Sequence, residues 1–133
     1  MNNRFPFICQ TNRAFLDGMV ERKQGHVVAI CSYAGKFTFP CGVTYCATKF
    51  GVTGFMDALF DELCLLEQDF IKTTCVYPTF INTRKDLGVM LNENGNMPRI
   101  SPDTAANLIV KGILTNRRNI FVPNYVKHGL FMK

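Results

Sequence analysis

Tyr45 and Lys49 stand four positions apart in GVTYCATKFG (42–51), a spacing that puts two side chains on one face of a helix. A free phenol titrates near ~10, and a neighbouring ammonium favours its phenolate, so the pair is a candidate for moving protons. Alone it is weak: with four tyrosines and eight lysines, such a pair arises by chance in roughly one chain in four. Ser32, thirteen residues before Tyr45, adds a hydroxyl able to hydrogen-bond an alcohol or carbonyl oxygen. Together the three side chains suit oxidation of an alcohol, provided another group accepts the hydride.

The elements that must position them are legible from periodicity. Ile8, Thr11, Phe15, Leu16, Met19 and Val20 have helical spacing, and Gly25 is expected to end that helix. HVVAICS (26–32) is a nearly continuous apolar run, expected as a strand buried on both faces and ended by Ser32. Gly35 and Pro40 mark a loop. Val52, Phe55, Met56, Leu59, Phe60, Leu63 and Leu66 line one side of a second helix, with Asp57, Asp61, Glu62 and Glu67 mostly opposite.

IKTTCVY (71–77) is a second strand stopped by Pro78. An irregular stretch of about 79–100 follows, then a helix with Ser101 as N-cap and Pro102 as first residue. NIFVP (119–123) is a third strand. Alternation of helix and strand implies an α/β fold, a parallel sheet with flanking helices. Chemistry in such sheets gathers beyond the carboxyl ends of the strands, where Ser32, Pro78 and the start of the second helix fall.

Composition narrows the class. At 133 residues and 47% apolar, the chain is one small domain's worth of sequence with enough for a core. The net charge of +5 divides as +4 over 1–50, −5 over 51–69 and +6 over 70–133, not as one basic stripe. No nucleic-acid partner is expected. Phe121, Val122, Tyr125 and Phe131 in the basic carboxyl-terminal tail can pack instead. The six cysteines lie mostly in apolar segments without C-x-x-C, so buried reduced thiols in a cytosol-facing protein are expected. His26 and His128 stand apart and read as structural, with no metal site. No run approaches the ~18 apolar residues of a membrane span.

The segments GHVVAICSYAG, YCATKFGVTGFMDAL, CVYPTFINT and AANLIVKGILTN resemble, in order and spacing, the short-chain dehydrogenase/reductase family. They are most similar to its retinol dehydrogenase and 17-beta-hydroxysteroid dehydrogenase branch. That resemblance implies Tyr45 as general acid/base, with Lys49 acting on its ionisation and bonding the nicotinamide ribose. It further implies Ser32 orienting substrate, and Pro78 and Thr83 at the nicotinamide of NAD or NADP. The implied substrate is a lipophilic alcohol, ketone or aldehyde such as a retinoid or steroid. Residues 84–100 correspond to the substrate loop, and helices 5–22 and 44–66 to a homo-oligomer interface. Relatives are often attached to the endoplasmic reticulum or lipid droplets.

The family's Gly-rich turn is absent, since no G-x-G occurs in the 133 residues. Gly51 and Gly54 lie on the acidic helix, where close packing is the expected reason for them. Thr79 stands where the family has glycine after Pro78. The resemblance therefore implies the carboxyl-terminal (catalytic) part of one such domain, a partial Rossmann-like sheet lacking the amino-terminal cofactor-binding strands. HVVAICS then exposes an apolar edge, and the isolated chain is expected to be inactive and poorly stable. A second reading is a non-catalytic truncated product that binds a full-length relative. A third is a membrane-surface module using the basic, aromatic tail 117–133.

Overall fold

The computed structural model describes residues 4–83 and 99–128. Helix α1 (Arg4–Glu21) leads to strand β1 (Gly25–Ile30) and a 3-10 turn (Tyr33–Gly35). Helix α2 (Val43–Leu65), strand β2 (Ile71–Pro78), helix α3 (Pro102–Leu114), strand β3 (Asn119–Val122) and a second 3-10 turn (Asn124–His128) follow. The strands form one parallel sheet in the order β1-β2-β3. Each crossover is a helix, as parallel pairing requires. The expected substrate loop lies almost wholly outside the described residues, as do Phe131 and the rest of the tail's end.

The two faces of the sheet are covered unequally. Cys31, Cys75 and Tyr77 pack against Val52 and Met56 of α2. Below them Leu59, Leu63 and Ile71 meet Leu16, Met19 and Val20 of α1. On the opposite face Val76, Ile120 and Val122 pack on Ala105, Ile109 and Ile113 of α3. Each Val, Leu, Ile or Met side chain among these, where fully buried, contributes roughly 1.5–3 kcal/mol.

Helix α3 lies over β2 and β3 and leaves that side of β1 open. Val28 is 37% and Ile30 57% exposed, so β1 is not the doubly buried strand its apolar run suggested. It is β2 that has the doubly buried pattern, because it is central and has a helix on both sides.

The three described helices end alike. The amide of Gln24 donates to Met19 O, that of Gln68 to Leu63 O, and that of Arg117 to Gly112 O, each reaching back five residues. The preceding residues Lys23, Glu67 and Asn116 have φ of 51, 54 and 52°, which is the left-handed Schellman cap. Gly25 is therefore not the helix stop: Lys23 takes that conformation, and Gly25 is pressed against the Met19 side chain. The start of α3 is as expected, with Ser101 Oγ accepting from the Thr104 amide at 3.2 Å and Pro102 in the first turn.

Candidate active site

The carboxyl ends of the strands are brought level by register. Ile30 pairs with Val76 and Pro78 with Val122. Strand β1 stops at Ile30, but the Cys31 amide still donates to Val76 O at 2.8 Å. Ser32 is thus not the last residue of the strand. It N-caps the 3-10 turn in an extended conformation, its Oγ accepting from the Ala34 amide at 3.2 Å. That bond uses a lone pair and leaves the hydroxyl proton without an acceptor among the described residues.

Helix α2 starts beside this turn for local reasons. Cys41 has a φ of 62°, and Gly42 lets the Phe39 ring lie where a Cβ would meet it. Gly42 opens the helix without a side-chain cap, placing Tyr45 in the first turn and Lys49 in the second. Tyr45 is 47% exposed, its ring centroid 6.4 Å from that of Phe39. Lys49 Nζ lies 5.7 Å from the Tyr45 ring centroid and donates to Cys31 O at 3.1 Å.

Lys49 therefore joins Tyr45 to the residue preceding Ser32. Among the described residues no hydrogen bond links Ser32 directly to Tyr45. Pro78 ends β2 on the same edge. Thr83 is exposed beyond that edge, and its amide donates to Ile81 O at 2.8 Å.

Behind these side chains lies a buried layer that the sequence reading missed. The hydroxyl of Thr53 donates to Gly35 O at 3.0 Å, and the Cys31 thiol donates to Lys49 O at 3.3 Å. The available signal was the repeat of four: Thr53 lies one step beyond Tyr45 and Lys49 on the same helix. Thr79 belongs to the same edge. Its amide and hydroxyl both donate to Val122 O, at 2.9 and 3.2 Å, so the residue in place of glycine ties β2 to the end of β3.

Asp57 does not simply face solvent. It accepts from Lys36 at 3.3 Å and Arg118 at 3.0 Å, and the Arg118 guanidinium stacks 3.7 Å from the Phe60 ring centroid. Gly54 has nothing within 4 Å of where a Cβ would be, so close packing does not explain it.

The cysteines are split. Cys31, Cys46 and Cys75 are buried free thiols, Cys9 is half-buried, and Cys41 and Cys64 are exposed. The last two lie on the loop before α2 and on its outer side, where no sheet covers them. Cys75 holds its proton: the hydrogen bond to Cys31 and burial both push its thiol up. Burial raises Tyr33 and Tyr77, whose hydroxyls are enclosed without a hydrogen-bond partner among the described residues. His26 is structural, its Nε2 2.8 Å from Thr74 Oγ1. Burial, then the nearby Lys72 charge, lower its pKa below 6.5.

Two cavities among the described residues are lined by none of Ser32, Tyr45 and Lys49. One of about 300 Å³, lined by Phe39, Val43, Ala47 and Phe50 among others, flanks the first turns of α2. Another of about 440 Å³, lined by Arg22, His26 and Lys72 among others, sits at the amino ends of the strands, away from Ser32.

The short chain dehydrogenase family model matches residues 3–92, and the chain belongs to that family. Estradiol 17-beta-dehydrogenase 11 of Macaca fascicularis is 38% identical over 117 residues, covering 87% of this chain and 38% of that protein. 17-beta-hydroxysteroid dehydrogenase 13 of Rattus norvegicus is 38% identical over 122 residues, covering 91% and 39%. The chain thus spans well under half the length of these curated relatives. A solved short chain dehydrogenase/reductase from Burkholderia phymatum, in complex with NAD, superposes with a TM-score of 0.73 at 18% identity. That alignment covers 92% of this chain and 51% of the other, and establishes the shared fold.

Proposed function

We propose that the protein carrying this chain is an NAD(P)-dependent oxidoreductase that interconverts the alcohol and carbonyl forms of a lipid such as a retinoid or steroid. These residues would be the carboxyl-terminal, catalytic part of one such domain. The observation that carries the reading is that Lys49 spans from the Tyr45 ring to the carbonyl of Cys31, the residue before Ser32, at one sheet edge. The groups concerned are the exposed Tyr45 phenol, the Lys49 ammonium beside it, and the Ser32 hydroxyl with its proton unclaimed among the described residues. The steroid class is supported by the two relatives, which are named as 17-beta-hydroxysteroid or estradiol dehydrogenases.

In this reading Ser32 donates to the substrate oxygen and holds it toward Tyr45. Tyr45 gives a proton to that oxygen in reduction and takes one from it in oxidation. Lys49 supplies positive charge beside the phenol. A nicotinamide dinucleotide, when bound, supplies or accepts the hydride.

The residues present fit its nicotinamide end. Lys49 spends one N–H on Cys31 O and keeps two for ribose hydroxyls, while the Thr83 hydroxyl is exposed beyond Pro78. Tyr45, Lys49, Pro78 and Thr83 would hold that end. Replacing Tyr45 by Phe should lower turnover at least about 100-fold while cofactor binding, followed by nicotinamide fluorescence, stays nearly intact. Unchanged turnover refutes the role.

A second reading concerns association, including with a full-length relative. Phe15 of α1 is 63% exposed, and Val43 and Leu65 of α2 are 79% and 82% exposed, which favours a partner on these helices. Sedimentation of a charged variant at Val43 tests it, and an unchanged mass rejects it. We further propose a cytosol-facing location at the endoplasmic reticulum or lipid droplets, with membrane contact by the basic tail. No described helix is long and apolar enough to cross a membrane. Vesicle binding lost on removing the tail is the expected result, and binding that survives the deletion rejects tail contact.

A further inference from the structure

Four groups, two from α2 and two from the segment running from the end of β1 through the 3-10 turn, meet behind Lys49: the Thr53 hydroxyl, the Lys49 carbonyl, the Cys31 thiol and the Gly35 carbonyl. Thr53, 6% exposed, has one hydroxyl proton and gives it to Gly35 O at 3.0 Å. Cys31, 4% exposed, directs its thiol at Lys49 O at 3.3 Å, with its sulfur 3.7 Å from Thr53 Oγ1. Gly35 completes the contact. A Cβ there would lie 2.6 Å from both Cys31 Sγ and Thr53 Oγ1 and 2.9 Å from Lys49 O. The Gly35 amide in turn donates to Ser32 O at 2.9 Å, closing the turn that carries the serine.

These bonds join the serine turn to the helix of Tyr45 and Lys49. Thr53 lies one helical step past Lys49, so whatever sets its depth against Gly35 also sets the depth of Lys49 against the end of β1. The Lys49 ammonium reaches Cys31 O at 3.1 Å only while that depth holds.

We propose that Thr53 is a positioning residue for Lys49: its hydroxyl, clasped to Gly35 O beside the Cys31 thiol, holds the α2 helix at the depth where the Lys49 ammonium reaches the strand end next to Ser32. Its bearing on catalysis rests on the oxidoreductase reading, but the position of Lys49 can be read without turnover.

The experiment is competitive trace acetylation of the protein carrying this chain, with the reactivity of each lysine read by mass spectrometry. In Thr53→Val, Lys49 should become about two- to tenfold more reactive, the factor that one ordinary hydrogen bond represents. Lys72, at the other end of the sheet, and Lys111, on α3, should keep their reactivity. Thr53→Ser, which retains the hydroxyl, should restore Lys49 to within about twofold of the parent. If Thr53→Val does not fold, Cys31→Ala against Cys31→Ser makes the same comparison through the thiol contact.

Unchanged Lys49 reactivity, a parallel rise at all lysines, or no rescue by serine each overturns the proposal. An active Tyr45→Phe enzyme would refute the oxidoreductase reading and leave this measurement standing.

Discussion

The Lys49 ammonium donates to the carbonyl oxygen of Cys31 at 3.1 Å while lying 5.7 Å from the ring centroid of Tyr45. One flexible side chain therefore spans both parts of the candidate site. It leaves the second turn of α2, passes the phenol, and ends at the residue before Ser32.

Replacing Lys49 by Met keeps much of the aliphatic stem and removes the charge and the donor. Turnover of the proposed enzyme should fall at least about 100-fold. Thermal unfolding should shift only by what one hydrogen bond contributes, about 1 kcal/mol. Steady-state kinetics alongside a melting curve separate the two effects. A loss of less than about threefold in turnover rejects the assigned role.

Asp57 holds Lys36 and Arg118 together, and all three side chains are between 31% and 40% exposed. Solvent screening keeps such pairs weak, so Asp57→Asn should cost about 1 kcal/mol or less. Denaturant titration at low and high salt is the measurement, because the difference from the parent should shrink as salt rises. A difference indifferent to salt means that Asp57 acts through packing rather than charge.

Tyr77 is fully buried, stacked on Phe121 at 5.0 Å between centroids, and its hydroxyl has no hydrogen-bond partner among the described residues. A buried hydroxyl without a bond costs free energy that its removal returns. Tyr77→Phe keeps the stack and should raise stability by about 1 kcal/mol. A destabilised variant would show that the hydroxyl is satisfied.

The lowered pKa of His26, caused first by burial and then by Lys72, makes stability depend on pH. Below 6.5 the unfolded chain binds this proton more readily than the folded one, so stability falls as pH drops through and below that value. His26→Gln should remove part of that fall. Melting temperatures at successive pH values between about 7.5 and 5.5 test it. Parallel curves for parent and variant exclude His26 as the source.

Glu67 takes the left-handed position at the end of α2 with a φ of 54°. A side chain there costs roughly 1 kcal/mol relative to glycine, which adopts the conformation freely. Glu67→Gly should therefore stabilise the protein, visible as a higher melting temperature. A lower one would mean that the loss of chain stiffness in the unfolded state outweighs the relief.

Much of this protein was legible in one dimension because its signals are local. The alternation of helix and strand, the Ser101–Pro102 start of α3 and the apolar stripe from Val52 to Leu63 each depend on neighbours within a few residues. Tyr45 and Lys49 were found the same way, since four positions along a helix is one turn. Ser32 was placed near them by topology alone.

What only the tertiary structure decided is set by contacts distant in sequence. The partial cover of β1 depends on where α3 lies across the sheet, and no apolar run encodes that. The ion pairs of Asp57 join residues 21 and 61 positions away. The clasp of Thr53, Cys31 and Gly35 joins groups about twenty residues apart, and it exists because a buried hydroxyl, thiol and carbonyl must find partners once water is gone. The chemical groups could be named from the chain. The distance at which they are held comes from that packing.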